Sequence, residues 1–226
     1  MDSKNRFHDL KIPTERHLDY LKFLDKECSS LGIGYALAGS MANGKAHSYS
    51  DIDVLVFMGK LNNVDSIIEF EKPLMVNFTE RPKGIVMVTY SKGLCVELDC
   101  RDYINKEEMN EIVVINDSNM KINEREVTRK EVTSQYVYQF PYSMDLRLLY
   151  KSLLKYLCTK EKESIDLLKE FEDQISESIT IGQYHEKVEF LYNAFKYKND
   201  IEKRLDKEIR ELIDKAKHRS SVGRKE

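Results

Sequence analysis

The hydrophobic pattern changes partway along the chain, and this change restricts the fold more than any other feature. Short apolar segments separated by glycine, proline and polar residues occupy the first half, whereas only helical periodicity remains from Met144 onward. Gly182 is the only glycine between Met144 and Gly223. Short apolar runs bounded by turn residues indicate strands, and apolar residues at every third or fourth position indicate helices. The pattern predicts an α+β protein with a mixed, mostly antiparallel sheet flanked by helices, followed by a C-terminal helical bundle.

The first half is predicted to alternate helices and strands. Apolar residues at helical spacing, with Thr14 as the N-cap, predict a helix over 14–31. Gly32 and Gly34 end this helix, and a short buried strand over 35–38 runs into the next turn. Further elements are expected as a short helix or turn at 41–46, a strand at 52–57, a helix at 64–70, and strands at 74–79, 85–90, 94–100 and 112–115.

A proline-containing segment marks the boundary between the two halves. Pro141 favours an extended residue before it and is tolerated at a helix start. We therefore expect a first domain over residues 1–138 and a domain of helices over 139–217. Residues 218–226 are basic, with no aromatic residue between the charges, and we expect them to form a disordered tail.

Charge, cysteine and histidine usage exclude several classes of function. The net charge is -3, and Lys and Arg are not clustered as in a nucleic-acid channel. No apolar run approaches the roughly 18 residues of a spanning helix, and the start of the sequence lacks the apolar core of a signal peptide. The cysteines form no CxxC pair and the histidines are scattered, so no zinc site, disulfide framework or histidine-based site is predicted. We expect a cytoplasmic protein with no nucleic-acid or membrane partner, and a homodimer remains open.

Two aspartates at the start of an apolar strand are the main functional signal. Residues i and i+2 of an extended chain face the same side, so Asp51 and Asp53 project together while Ile52 turns into the core. Adjacent carboxylates repel each other unless a cation lies between them, and Mg²⁺ is typically held by one or two carboxylates and substrate phosphates. Gly39 and Ser40, at a turn that opens a helix, can bring backbone N–H groups close to phosphate oxygens. The combination predicts a site for a metal ion and a nucleotide.

The stretch ALAGSMANGKAHSYSDIDVLVF resembles the signature of the polymerase β-like nucleotidyltransferase superfamily. That signature is an apolar strand, Gly-Ser or Gly-Gly, a short spacer, and then acid-apolar-acid. The resemblance implies that residues 1–138 are the catalytic domain and that Asp51 and Asp53 coordinate two Mg²⁺ ions.

The same resemblance suggests the nucleotide-binding residues. Gly39 and Ser40 are expected to contact the nucleotide phosphates. Many members have a basic residue at the position of Asn43, and Lys45 is the candidate to replace it. Ser50, which directly precedes the acids, is a further candidate.

The superfamily also has a third acid on a later, adjacent strand. In this chain the downstream apolar strand that carries acids is Val-Glu-Leu-Asp-Cys, where Glu97 and Asp99 share a face. We expect Asp99 to be the third acid and a metal ligand, because Leu-Asp-Cys after a hairpin looks like the third-acid strand of adenylyltransferases that modify aminoglycosides. Glu97 is the alternative, and both acids could instead face solvent on an edge strand.

The reaction that the resemblance implies is in-line attack of an acceptor hydroxyl on the α-phosphate of ATP or another nucleoside triphosphate. One ion would lower the pKa of the hydroxyl, the other would steady the leaving pyrophosphate, and the third acid would bridge to the attacking oxygen or act as base. A helical domain after the catalytic sheet is similar to the arrangement in aminoglycoside and lincosamide antibiotic nucleotidyltransferases, which favours a small hydroxylated acceptor. The alternatives are transfer to a protein or tRNA, and a non-catalytic nucleotide-binding regulator or antitoxin-like module.

Overall fold

The two halves of the hydrophobic pattern fold as two units. A computed structural model describes residues 6–79, 84–124, 127–136, 140–179 and 182–222. The first unit comprises Met1–Tyr90 and Leu94–Gln139, and the second comprises Ser91–Gly93 and Phe140–Glu226. In chain order the first unit contains α1 (Glu15–Leu31), β1 (Gly34–Leu37), α2 (Gly39–Ala42), β2 (Ile52–Phe57), α3 (Asp65–Ile68), β3 (Met75–Phe78), β4 (Val86–Thr89), β5 (Cys95–Arg101), β6 (Ile104–Asn105), a 3-10 helix (Glu108–Asn110), β7 (Val113–Asn116) and β8 (Ile122–Asn123).

The first unit is built on a six-stranded sheet with the strand order β3-β4-β5-β2-β1-β7. The two central strands, β2 and β5, pair in parallel, and their other neighbours in this sheet pair antiparallel. β6 and β8 pair in parallel as a separate two-stranded sheet. The predicted mixed, mostly antiparallel sheet is therefore confirmed.

Alternate residues of β2 enter two different apolar clusters. Ile52 and Val54 lie in the main core, together with the buried face of α1. Leu55 and Phe57 lie in a smaller cluster on the opposite face of the sheet. Because successive side chains of a strand point to opposite faces, Asp53 shares the face of Leu55 and Phe57.

Local polar contacts define the ends of α1 and α3. The hydroxyl of Thr14 accepts the N–H of residue 17 at 3.3 Å, and Gly32, with φ 64°, ends α1 in the left-handed conformation. Tyr20 and Tyr90 donate their hydroxyls to the carbonyls of residues 67 and 68 at 3.3 and 2.8 Å, which satisfies acceptors at the end of α3. Burial raises the pKa of both phenols well above its ordinary value, so both remain neutral donors.

The second unit is a helical bundle. It contains α4 (Ser143–Leu157), α5 (Glu161–Ile175), α6 (Tyr184–Lys198) and α7 (Lys203–Val222). α4 packs against α5 and α7, and α6 packs against α7, around a core that includes Leu149, Phe171, Leu191 and Leu212. Among the described residues, no helix combines the length and the apolar character needed to cross a membrane.

The predicted elements agree with the structure in type and order. The main difference is that α2 begins at Gly39, not at Met41, because the chain turns directly from β1 into the helix at Gly39, whose φ is 57°. The two-residue strands β6 and β8 are too short to give a periodic signal. α7 extends into the segment predicted as a tail and covers its residues 218–222, while 223–226 lie outside the described residues.

Candidate active site

Asp51 and Asp53 stand at the beginning of β2. Asp53 is the second residue of the strand, Asp51 directly precedes it, and Ile52 between them is fully buried. Both aspartates are half-buried. The strand therefore presents two carboxylates at its start while the intervening side chain anchors it in the main core.

The parallel pairing of β2 with β5 brings further acids onto the same face. Asp53 is level with Glu97, and Leu55 is level with Asp99. Cross-strand neighbours in register have side chains on the same face of the sheet. Glu97 thus lies beside Asp53 on the neighbouring strand. Asp99 lies two residues further along β5, on the same face.

Gly39 lies directly against the carboxylate of Asp53. A Cβ placed on Gly39 would be 2.1 Å from Asp53 Oδ2, and the backbone has φ 57°, a conformation that favours glycine. The Ala38 N–H donates to the Asp53 carbonyl at 2.9 Å, which ties the turn between β1 and α2 to β2. Gly39 and Asp53, separated in sequence, therefore lie in direct contact.

Gly39, Asp53, Glu97 and Asp99 line a cavity of about 220 Å³ in the first unit. Its charged lining residues are Asp53, Glu97, Asp99, Arg101, Glu108 and Glu111, and Gly39 lies at its wall. Among the lining residues that the structure describes, five carboxylates thus accompany one guanidinium.

Asp99 is engaged by two arginines. Arg101, whose side chain is 5% exposed, donates from Nη2 to Asp99 Oδ2 at 2.5 Å, and Arg129 donates from Nε to Asp99 Oδ1 at 3.1 Å. Arg101 Nη1 also donates to both carboxylate oxygens of Glu108, at 3.0 and 2.9 Å. Within the described part of the chain, Arg101 Nε is buried and has no hydrogen-bond partner. This network was not predicted, because it joins residues from three separate segments.

The other predicted nucleotide-binding residues do not appear among the described residues that line the cavity. Ser40 is half-buried in α2, and its carbonyl accepts the Lys45 N–H at 3.0 Å, while the Lys45 side chain is exposed. Ser50 is 8% exposed, and its hydroxyl accepts the His47 N–H at 2.8 Å. Asp51 is also absent from the described lining residues, although it is only two residues from Asp53 in sequence.

A buried histidine of α1 contacts the segment that precedes the aspartates. His17 is 2% exposed, and its Nε2 lies 3.1 Å from the Ser50 carbonyl oxygen. Its Nδ1 lies 2.6 Å from the Thr14 hydroxyl oxygen. Sequence reasoning set the histidines aside because they are scattered. One sequence signal could have identified this contact. His17 is the third residue of α1, counted from the N-cap Thr14, and the side chains of these two helix positions often contact each other.

The donor set suits a magnesium ion. Carboxylate oxygens are hard ligands, and one or two of them, completed by substrate phosphates and water, are sufficient for Mg²⁺. Asp51, Asp53 and Glu97 are donors of this kind beside a glycine turn. Among the described residues, no group of three or more His, Cys, Asp or Glu side chains is arranged to hold a metal ion by itself. An ion held here would take its remaining ligands from a bound nucleotide and from water.

Comparison with known families agrees with this geometry. Residues 15–218 match the model of the nucleotidyltransferase domain family, so the chain belongs to that family. Neither the curated proteins nor the solved structures that were compared give a match. The predicted superfamily is thereby confirmed. Membership indicates a transferase whose chemistry is nucleotidyl transfer, with a nucleoside triphosphate substrate and a divalent metal as is general in the family.

Proposed function

We propose that the chain is a magnesium-dependent nucleotidyltransferase that moves AMP from ATP onto a hydroxyl of a small molecule, with release of pyrophosphate. The observation that carries the proposal is the register of β2 and β5. It sets Asp53 level with Glu97, while the glycine turn lies against the Asp53 carboxylate. Nucleotidyl transfer requires an acid pair at the start of one strand, an acid on the parallel neighbouring strand, and a turn that contains a glycine.

The aspartates and the turn have separate roles in this proposal. Asp51 and Asp53 would hold the cation, which would supply charge neutralisation to the triphosphate and activate the attacking hydroxyl. Gly39 leaves room for the Asp53 carboxylate to lie against the turn, which holds this carboxylate beside the backbone of the turn. Ile52, buried between the aspartates, keeps the pair oriented during the reaction.

Glu97 is the better candidate for the third acid, although the sequence resemblance favours Asp99. Glu97 is level with Asp53, and an acid in that position can approach the same ion or the acceptor hydroxyl. Asp99 accepts hydrogen bonds from Arg101 and Arg129, so its charge is already balanced within the protein. A carboxylate whose two oxygens already accept from guanidiniums has fewer lone pairs left for a metal ion.

The charge of the cavity supports a small acceptor that carries amino groups. Among the described residues, Arg101 and Arg129 offset part of the charge of Asp99 and Glu108, and a bound cation would offset part of that of Asp53 and Glu97. Glu111 is exposed at the cavity and adds a further negative charge. A negative site repels a polyanionic acceptor such as RNA and attracts a polyamine-like one. Aminoglycoside antibiotics are acceptors of this chemistry.

The test is pyrophosphate release from each nucleoside triphosphate with Mg²⁺, across a panel of hydroxylated antibiotics. Asp51→Asn and Asp53→Asn should each lower the rate by roughly 10²- to 10³-fold. Asp19→Asn is the matched control, because Asp19 is an exposed acid of α1. It should keep the wild-type rate.

Two other outcomes would redirect the proposal. Release with a protein or tRNA acceptor, but with none of the small molecules, would replace the small-molecule acceptor by a macromolecular one. Magnesium-dependent ATP binding without release for any acceptor would indicate a nucleotide-binding regulator instead of an enzyme.

A further inference from the structure

The hydrogen-bond partners of His17 define which ring nitrogen carries its proton. A backbone carbonyl can only accept, so Nε2–H donates to the Ser50 oxygen at 3.1 Å. The Thr14 hydroxyl then donates to Nδ1 at 2.6 Å. Burial lowers the pKa of His17 below its ordinary value of 6.5, the charge of Arg16 lowers it further, and the bond to Ser50 raises it. The ring is therefore neutral and held at both nitrogens.

Ser50, whose carbonyl accepts the hydrogen bond from His17, belongs to a closed turn over residues 47–50. The Ser50 N–H donates to the His47 carbonyl at 2.9 Å, and the His47 N–H donates to the Ser50 hydroxyl at 2.8 Å. Asp51 follows this turn directly. The backbone position of Asp51 thus depends on the turn, and through His17 the turn is attached to α1, a helix of 17 residues anchored in the main core.

We infer that His17 is a positioning residue for Asp51, which it orients by holding the Ser50 carbonyl. The ring does not itself reach the reacting groups. The inference rests on the proposed function only for the role of Asp51 as a cation ligand. Partners that orient a metal ligand without touching the metal commonly contribute roughly 10- to 100-fold to metal affinity.

Two substitutions separate the hydrogen bond from simple packing. In His17→Gln the amide nitrogen can occupy the place of Nε2 and donate to the Ser50 oxygen. In His17→Leu the volume is similar but the donor is lost. His185→Leu is the matched control, because His185 is also a buried histidine, in α6 of the second unit.

Two measurements on the full-length chain test the inference. The first is amide hydrogen exchange over residues 47–53, which reports the turn directly. The second is Mn²⁺ binding, followed by electron paramagnetic resonance in the presence of a non-hydrolysable ATP analogue. We expect His17→Leu to exchange faster over 47–53 and to bind Mn²⁺ about tenfold more weakly. His17→Gln should remain close to the wild type, and His185→Leu should change neither quantity.

Unchanged exchange over 47–53 in a folded His17→Leu protein would overturn the positioning role, whatever the Mn²⁺ affinity. If His17→Leu does not fold, Thr14→Val replaces it, since it removes the hydroxyl that donates to Nδ1 and should also speed exchange over this turn. Wild-type exchange in Thr14→Val would then overturn the role. A wild-type protein that binds no Mn²⁺, or that binds it equally well after Asp51→Asn, would overturn the proposed function, and the exchange result would still decide the role of His17.

Discussion

Two glycines in the segment between β1 and β2 allow two effects of an alanine substitution to be distinguished. One effect is steric contact with Asp53, and the other is strain in the backbone. Gly39 and Gly44 both have left-handed backbones, with φ 57° and 70°. A Cβ on Gly39 would collide with the Asp53 carboxylate, whereas one on Gly44 would meet nothing within 4 Å. Both substitutions to alanine should cost about 1–2 kcal/mol of stability, because an L-residue is strained in this conformation.

Only Gly39→Ala should abolish the reaction, because it displaces the Asp53 carboxylate. A displacement of about 1 Å in a reacting group can lower a rate by ~100-fold. The measurements are urea unfolding and pyrophosphate release for both variants. Equal activity of Gly39→Ala and Gly44→Ala would show that the contact with Asp53 has no functional role.

Glu97 and Asp99 should respond in opposite ways to removal of their charge. Glu97→Gln preserves the shape of the side chain and should lower activity by roughly 10²-fold or more. Asp99→Asn leaves Arg101, which is 95% buried, and Arg129 without their shared carboxylate. We expect a loss of about 2 kcal/mol in the free energy of unfolding, since Arg101 keeps the carboxylate of Glu108 but loses the charged acceptor of its Nη2.

The two variants are compared by urea unfolding and by rate at saturating Mg²⁺. A stable Asp99→Asn protein that lacks activity, beside an active Glu97→Gln protein, would return the role of third acid to Asp99.

At the scale of elements, the contact between α1 and the turn before β2 should make stability depend on pH. The pKa of His17 is lowered in the folded state, chiefly by burial, so the unfolded chain binds a proton more readily. The stability from the neutral ring is fully present above the unfolded pKa of about 6.5 and is lost as the pH falls toward the folded value.

The wild type should therefore lose stability on acidification relative to His17→Gln, whose side chain does not titrate. Its unfolding free energy relative to that of His17→Gln should fall below pH ~6.5, by at most about 1.4 kcal/mol per pH unit for one titrating group. Urea unfolding of both proteins at pH 7.5 and 5.5 measures this difference. A difference that is constant over this range would mean that His17 does not titrate as its burial indicates.

At the scale of the whole molecule, the second unit is assembled from two distant stretches of chain. Ser91–Gly93 belongs to it together with Phe140–Glu226. Within this unit the Gly93 N–H and the Tyr150 hydroxyl both donate to Glu208 Oε1, at 2.8 and 3.1 Å, and Glu208 is 6% exposed. The carboxylate therefore joins the short stretch to α4 and α7.

Glu208→Leu should destabilise the chain substantially, because it leaves two buried donors without an acceptor at about 1–3 kcal/mol each. Glu211→Leu is the control on the same helix, since the Glu211 side chain is 51% exposed, and its effect should stay within about 0.5 kcal/mol. Both are measured by urea unfolding. Equal midpoints for the two variants would mean that the buried carboxylate does not contribute to stability.

The sequence by itself determined the type and order of the main elements, and it predicts that Asp51 pairs with Asp53. Both depend on local rules: apolar spacing distinguishes strands from helices, and residues two apart on a strand share a face. The glycine turn and the acid pair could also be recognised, because their residue types follow from the backbone conformation and the ligand chemistry that they serve.

Only the tertiary structure decided which downstream acid is level with Asp53. Register between two parallel strands depends on how the intervening helix and strands pack, and a local pattern cannot distinguish Glu97 from Asp99 because both face the same side. The contacts of Asp99 with its two arginines and of His17 with Ser50 were likewise decided only by the tertiary structure. They join residues far apart in the chain, and the energy that selects them comes from burial in the folded protein, which is a property of the assembled core and not of any one segment.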